Sequence, residues 1–447
     1  MSLTQGLMSP RTPLRRFLDR ELSAGVRRVR ATYQSRLPAS PLILPREGVG
    51  YEAGAIGTAI DQRLRLAFTT DVPVDAATLL GVKGCAAAAA DRRASRTACA
   101  LAETGQNMVT ELAANVAKMR LDDRRQPMLR PDDQEQHLAR LLLAAAWYAV
   151  KWRNPFAFRD TPLCKAARAQ PATFDLDALL AVPHRDLVDD LLAQLHRAGD
   201  GPLDGLRAAT TPGRCRPGPT FEGSAHLAAD ADLIAEGLLL DFKSTRRIHD
   251  FRLPAILQLL GYVLLDLSDT YRIDSVGVYL TRAGGLVTWP LQEYLDLLGA
   301  RRRDLPVLRA AFAQLLTYPG CRADDDPLPD ELDGVERLLA EVASTIADGC
   351  CRVCAQPLTR PMVSPRRPRL YCSTFCSQRA HTLRRHGWLL KEASPEQSND
   401  VPSPSPPTQA PPRPHADWRT LTHQRRRPRG GHQTATAAAL PSRAPRR

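Results

Sequence analysis

Residues 229–245 read ADADLIAEGLLLDFKST, two apolar runs on either side of Glu236-Gly237. A two-residue loop of this kind joins antiparallel strands into a hairpin. With the turn placed there, Ala235 faces Leu238, Ile234 faces Leu239, Asp232 faces Asp241 and Asp230 faces Lys243. Side chains alternate along a strand, so Asp230, Asp232, Asp241 and Lys243 project from one side, and Leu233, Leu238, Leu240 and Phe242 from the other. Cross-strand Cβ atoms lie only ~4.5–5.5 Å apart, where two carboxylates repel. The pattern therefore asks for a compensating cation. A hard divalent ion meets that need: Mg²⁺, or Mn²⁺ in its place, uses one or two carboxylates and keeps other positions for water and a substrate phosphate. Lys243, on the same face as Asp241, stands where an ammonium orients an attacking water and counters charge building on a phosphate.

The surrounding sequence places this hairpin in an α/β unit. Residues 12–36 open with a Thr-Pro start signal and carry apolar positions at helical spacing among many arginines, which predicts a basic amphipathic helix. Helices are expected over 54–68 and through most of 75–200. The segment 132–152 is the clearest of them, with acids in its first turns and bases in its last. The texture changes near Pro217: strands over 226–243, a helix over about 250–267, then strands within 276–291 around a turn at Ala283-Gly284-Gly285. Helices resume over 291–347. The chain thus divides into a basic N-terminal helix (1–36) and a main domain (37–349). That domain has a helical part (54–210), an α/β core (217–291) and C-terminal helices (291–347).

The order D…DxK at Asp232, Asp241 and Lys243 resembles the signature of the PD-(D/E)xK nuclease superfamily. Gln258 and Tyr262, four apart on the following helix, resemble the QxxxY motif of its RecB-like branch. One helical turn apart, the two side chains share a face. The match spans roughly 222–291, with Ala231 where the signature names proline. The resemblance implies a restriction-endonuclease-like αβββαβ core that hydrolyses phosphodiester bonds of DNA. It makes Asp232 and Asp241 metal ligands, the Phe242 carbonyl a further ligand, Lys243 the water-positioning group, and Gln258 and Tyr262 supports of the site. RecB-like nucleases usually add a histidine from an early helix. Here the nearest counterpart is Asp61 in IGTAIDQRL, with Glu222 as a rival third acid.

Ten cysteines point to a reducing, cytoplasmic setting in which they are free thiols or metal ligands, and five crowd into 350–376. Cys351-x₂-Cys354 followed by Cys372-x₃-Cys376 supplies the four thiolates of a tetrahedral Zn²⁺ site, with Ser373 capping a helix that carries Cys376. The pattern resembles treble-clef-like zinc modules; Cys350 is a neighbouring thiol and His381 a rival fourth ligand. An iron–sulfur cluster is the alternative, but relatives that carry one split their cysteines around the nuclease core, which favours zinc.

The net charge of +13 is concentrated here: residues 350–447 hold 18 Lys/Arg against four Asp/Glu, whereas residues 1–349 hold 43 against 44. That end is fitted to a polyanion such as nucleic acid, or through the zinc module to a protein partner. From 393 onward the Pro-, Ser- and Arg-rich sequence has no apolar period and is expected to be disordered, leaving 350–392 as the zinc module. No secretory signal is evident. The apolar run at 141–150 falls short of the ~20 residues of a membrane span.

Overall fold

The computed structural model describes residues 2–10, 12–22, 26–46, 52–300, 304–317, 349–352, 358, 362–364 and 367–385. The expected zinc ligand Cys354, the later part of the C-terminal helices over 318–348, and the expected disordered tail lie outside the described residues.

Where the sequence predicts one basic helix over 12–36, the structure has two, α2 (Pro13–Glu21) and α3 (Val26–Ser35), preceded by α1 (Leu3–Met8). Thr12 caps α2 through the Arg15 amide and Pro13 opens it, as the start signal requires. These helices do not form an appendage. Leu3, Leu7, Leu14, Phe17, Leu18, Val29 and Tyr33 are buried in one of two hydrophobic cores. Tyr33 Oη donates to the Ile248 carbonyl at 2.6 Å and Arg36 Nη1 to the Thr288 carbonyl at 2.6 Å.

A helical layer follows: α4 (Ala53–Phe68), α5 (Ala76–Ala89), α6 (Arg96–Met119), α7 (Asp132–Arg153), α8 (Pro155–Phe158), α9 (Pro162–Ala169), α10 (Leu176–Ala181), α11 (Arg185–Gly199) and α12 (Pro202–Ala209). Helix α7 is its axis, buried almost all round from Leu138 to Ala149. Among the described residues no helix is long and apolar enough to cross a membrane. Helices α5 and α7 touch backbone to backbone at Gly81, where a Cβ would stand 1.9 Å from the Tyr148 carbonyl oxygen.

The sheet runs in the order β1 (Cys215–Pro217), β2 (Leu233–Ala235), β3 (Leu238–Lys243), β4 (Ser275–Leu280), β5 (Gly285–Pro290). All neighbours are antiparallel except β3 and β4, which run parallel and are joined through α13 (Leu253–Leu265). Helices α14 (Leu291–Leu298) and α15 (Leu305–Thr317) follow. The β2–β3 turn falls at Glu236-Gly237, with Ala235 opposite Leu238 and Ile234 opposite Leu239, as the sequence predicts. Both turn residues have positive φ (51° and 88°). Glutamate is held in that unusual conformation by its carboxylate, which accepts from the Thr211 amide at 2.9 Å and pairs with Arg214 at 2.8 Å.

The alternation of strand residues sorts two cores. Leu233, Ala235, Leu238, Leu240, Phe242 and Tyr279 face the α4–α12 layer. Ile234, Leu239, Val276, Val278, Val287 and Trp289 face α1–α3 and α13–α15. Covered by helices on both faces, the strands are apolar on both parities, which explains the unbroken LLL of β3. Asp241 and Lys243 share the parity of Leu239 and so lie on the α13 side.

Candidate functional site

The β2–β3 ladder ends at Leu233 opposite Leu240. Beyond it the Asp232 carboxylate crosses to β3, its Oδ2 accepting from the Phe242 amide at 2.5 Å. Asp232 and Asp241 are thereby drawn to the same end of the hairpin. Neither expected opposition, Asp232 with Asp241 or Asp230 with Lys243, forms in the ladder. Once the Asp232 side chain has taken the Phe242 amide the chain leaves the ladder, and Asp230 is exposed and bridges Thr220 instead.

Lys243 links β3 to α13. Its Nζ is 2.6 Å from Asp241 Oδ2 and donates to Gln258 Oε1 at 3.4 Å, and Gln258 Nε2 donates to Tyr262 Oη at 2.7 Å. The i,i+4 spacing of Gln258 and Tyr262 puts both on the face of α13 that meets Lys243. Phe221 stacks on the Tyr262 ring at 5.8 Å.

Asp61 is brought in by α4, together with a residue that the sequence did not single out, Arg65. The Arg65 guanidinium clamps Asp61 through Nε at 2.8 Å and through Nη2, and the same Nη2 reaches Asp232 Oδ1 at 3.0 Å. The i,i+4 Asp–Arg pair was visible on a predicted helix. Its meeting with Asp232 is tertiary. Glu222 is exposed on a short 3-10 turn (Glu222–Ala225) and takes no part in this network.

The electrostatics reflect three carboxylates and two cations in a poorly solvated place. Burial, with the Asp232 charge adding to it, pushes the Asp241 carboxyl up to about 6 against the opposing pull of Lys243. Burial likewise raises Asp61, again helped by Asp232 and opposed by Arg65. For Lys243 burial acts downward, but the charges of Asp241 and Asp232 outweigh it and the amine is raised.

A cavity of about 360 Å³ opens beside Lys243, where β3 and β4 end at the start of the α13 crossover. Tyr33, Thr245, Arg247, Asp250, Phe251 and Arg252 are among the residues that line it, and Arg252 pairs with Asp250 at 2.6 Å. The carboxyl ends of adjacent parallel strands are where open α/β sheets place ligands.

In the C-terminal segment, β6 (Met362–Ser364) and β7 (Arg367–Pro368) form a small antiparallel pair, followed by a helix at Thr374–Arg385. Ser373 Oγ accepts from the Cys376 amide at 3.2 Å, the cap expected from the sequence. Cys351 and Cys376 are buried, and the Sγ atoms of Cys351, Cys372 and Cys376 lie within 4.8 Å of one another, an arrangement compatible with a bound metal. Among the described residues these three form the one group of at least three His, Cys, Asp or Glu residues gathered so closely. The carboxylates of Asp61, Asp232 and Asp241 do not close to that distance: Arg65 lies between the first two, and Lys243 holds the third. His381 is exposed, and Cys350 is half-buried beside Cys351.

Comparison with protein-family models, curated proteins and solved structures returned no match.

Proposed function

We propose that the chain is a metal-dependent nuclease that hydrolyses phosphodiester bonds of DNA, built on a restriction-endonuclease-like core of the PD-(D/E)xK type. The observation that carries the reading is the gathering of Asp232, Asp241 and Lys243 at one end of the hairpin, backed by Gln258 and Tyr262. The strand order supports it, since three antiparallel strands, a crossover helix and a fourth strand parallel to the third is the order of an αβββαβ plan. In that plan α4 is the leading helix. The donor set is all oxygen, as a hard divalent cation requires, and the three carboxylates have to draw closer than they stand to share one ion.

Asp232, Asp241, Asp61 and the Phe242 carbonyl would hold Mg²⁺ or Mn²⁺, which supplies charge neutralisation and acidifies a bound water. The work of the chain itself falls to Lys243. Its amine, steadied by Asp241 and Gln258, directs a water at the phosphorus and counters charge on the phosphate oxygens. As the water oxygen bonds to phosphorus one ester P–O bond breaks, leaving a phosphomonoester and an alcohol. Tyr262 fixes the Gln258 amide. Arg247 at the cavity, with exposed Arg246 beside it, offers sequence-independent phosphate contacts, whereas Arg252 there is paired with Asp250.

At the C-terminus, Cys351, Cys372 and Cys376, with Cys354 as fourth ligand, would hold Zn²⁺ in a small structural module that adds affinity for nucleic acid. Cys376→Ser is expected to drop the zinc content of the purified chain from about one ion to a small fraction of one, read by elemental analysis. Unchanged zinc content would remove these cysteines from the account.

A second reading is favoured by one observation. Arg65 and Lys243 already answer the carboxylates without a metal ion, as they would in a nucleic-acid-binding protein on a nuclease-like fold that does not cut. Incubation of end-labelled DNA with Mg²⁺, Mn²⁺ or a chelator separates the two. Cleavage with either metal, abolished by the chelator, is expected of the nuclease, whereas binding without cleavage under both metals supports the second reading.

A further inference from the structure

We propose that Arg65 is a built-in counter-cation that competes with the divalent ion for the Asp61 and Asp232 carboxylates, so that the ion binds only as the guanidinium lets go. The inference rests on the metal-dependent reading of the site. Arg65 follows Asp61 by one helical turn, and its guanidinium engages both Asp61 oxygens and one Asp232 oxygen. The remaining Asp232 oxygen accepts from the Phe242 amide. Every oxygen of these two carboxylates thus has a donor, and Arg65 reaches Asp232 across 167 residues of sequence.

The clamp is sheltered and has a fitted place. The Arg65 side chain is 12% exposed and that of Asp232 17%, so solvent screens the pair only partly. Gly218 has φ +52°, and a Cβ at that position would stand 2.8 Å from Arg65 Nη1. Glycine is therefore needed there both for the turn and for the passage of the guanidinium. A planar fork that donates to two carboxylates and a divalent ion that draws on the same lone pairs exclude one another. Affinity for the ion is accordingly reduced by whatever the clamp contributes.

The test is Mn²⁺ binding to the full chain, followed by calorimetry and by the paramagnetic signal of free Mn²⁺. The set comprises the unmodified protein, Arg65→Gln, Gly218→Ala and Asp241→Asn. Arg65→Gln is expected to bind Mn²⁺ on the order of tenfold to a hundredfold more tightly, the equivalent of one charge-assisted hydrogen bond. Saturating Mn²⁺ should also raise its melting temperature more than that of the unmodified chain. Gly218→Ala keeps the charge but crowds Nη1, and should shift affinity the same way by less. Equal or weaker binding by Arg65→Gln, with binding lost in Asp241→Asn, would overturn the competition and leave the metal site standing. No Mn²⁺ binding by any of the four proteins would overturn both. Should Arg65→Gln fail to fold, unchanged affinity in Gly218→Ala would overturn the proposal.

Discussion

Lys243→Ala is expected to lower metal-dependent DNA cleavage by about 10²–10³-fold, the usual cost of removing one preorganised electrostatic group from a site. On the proposed reading the affinity of the protein for DNA should change little, because sequence-independent phosphate binding draws on many Lys and Arg side chains and this substitution removes one. The amine is the one cation of the site that both pairs with a carboxylate there and reaches the cavity: it sits 2.6 Å from Asp241, and its side chain is 32% exposed. The substitution also leaves the Asp241 carboxylate, which is almost wholly buried, without its counter-charge, so a fall in stability is expected as well. Lys243→Gln separates the two effects. It keeps a donor for Asp241 and should recover part of the stability, while cleavage stays low for want of a positive charge. Equal cleavage rates for Lys243→Ala and the unmodified chain would remove Lys243 from the mechanism.

Arg282→Met is expected to destabilise the fold by about 3–5 kcal/mol, the cost of stripping one partner from a buried ion pair. Arg282, in the turn between β4 and β5, pairs in parallel with Asp190 on α11, Nη1 to Oδ1 and Nη2 to Oδ2 both at 2.7 Å, and both side chains are almost fully buried. Its Nη1 also donates to the Ile43 carbonyl at 3.2 Å. One turn along α11, Gln194 Oε1 accepts from Ser244 Oγ at 2.8 Å and from Thr281 Oγ1 at 2.6 Å. The ends of β3 and β4 are thus anchored to α11, just past Lys243. Methionine keeps the length and loses the charge, leaving Asp190 buried and unpaired. A chemical denaturation midpoint unchanged by the substitution would contradict this account of the joint.

The hairpin was legible because two independent signals agree on it: the turn at Glu236-Gly237 and the parity of the leucines on either side. The Asp230–Lys243 opposition was misread because strand alternation knows nothing of side chains that compete with the ladder. Asp232 takes a backbone amide, and pairing stops there. Arg65 was overlooked for a different reason. Its pairing with Asp61 is local and readable, but its second partner, Asp232, lies far along the chain and only the packed sheet brings them together. Helix α2 ends with Leu22 as its C-cap, which bridges Ala300, a long-range contact that helical spacing does not carry. The burial of α1–α3 had no signal, since arginine-rich helices read as surface until their apolar stripe finds a partner. The cysteine spacing was legible as far as Cys351, Cys372 and Cys376, whose thiols gather closely enough for a metal ion, because few residues decide such a cluster.

On the proposed reading, Asp241 of β3 and Asp232, just before β2, receive one divalent cation beside Lys243. Diffraction at the manganese absorption edge from crystals soaked in Mn²⁺ tests it most directly. One anomalous peak is expected at the end of the β2–β3 hairpin, about 2 Å from oxygens of Asp232 and Asp241, with the Arg65 guanidinium displaced. Saturating Mn²⁺ with no peak there, and Arg65 still bridging Asp61 and Asp232, would contradict it.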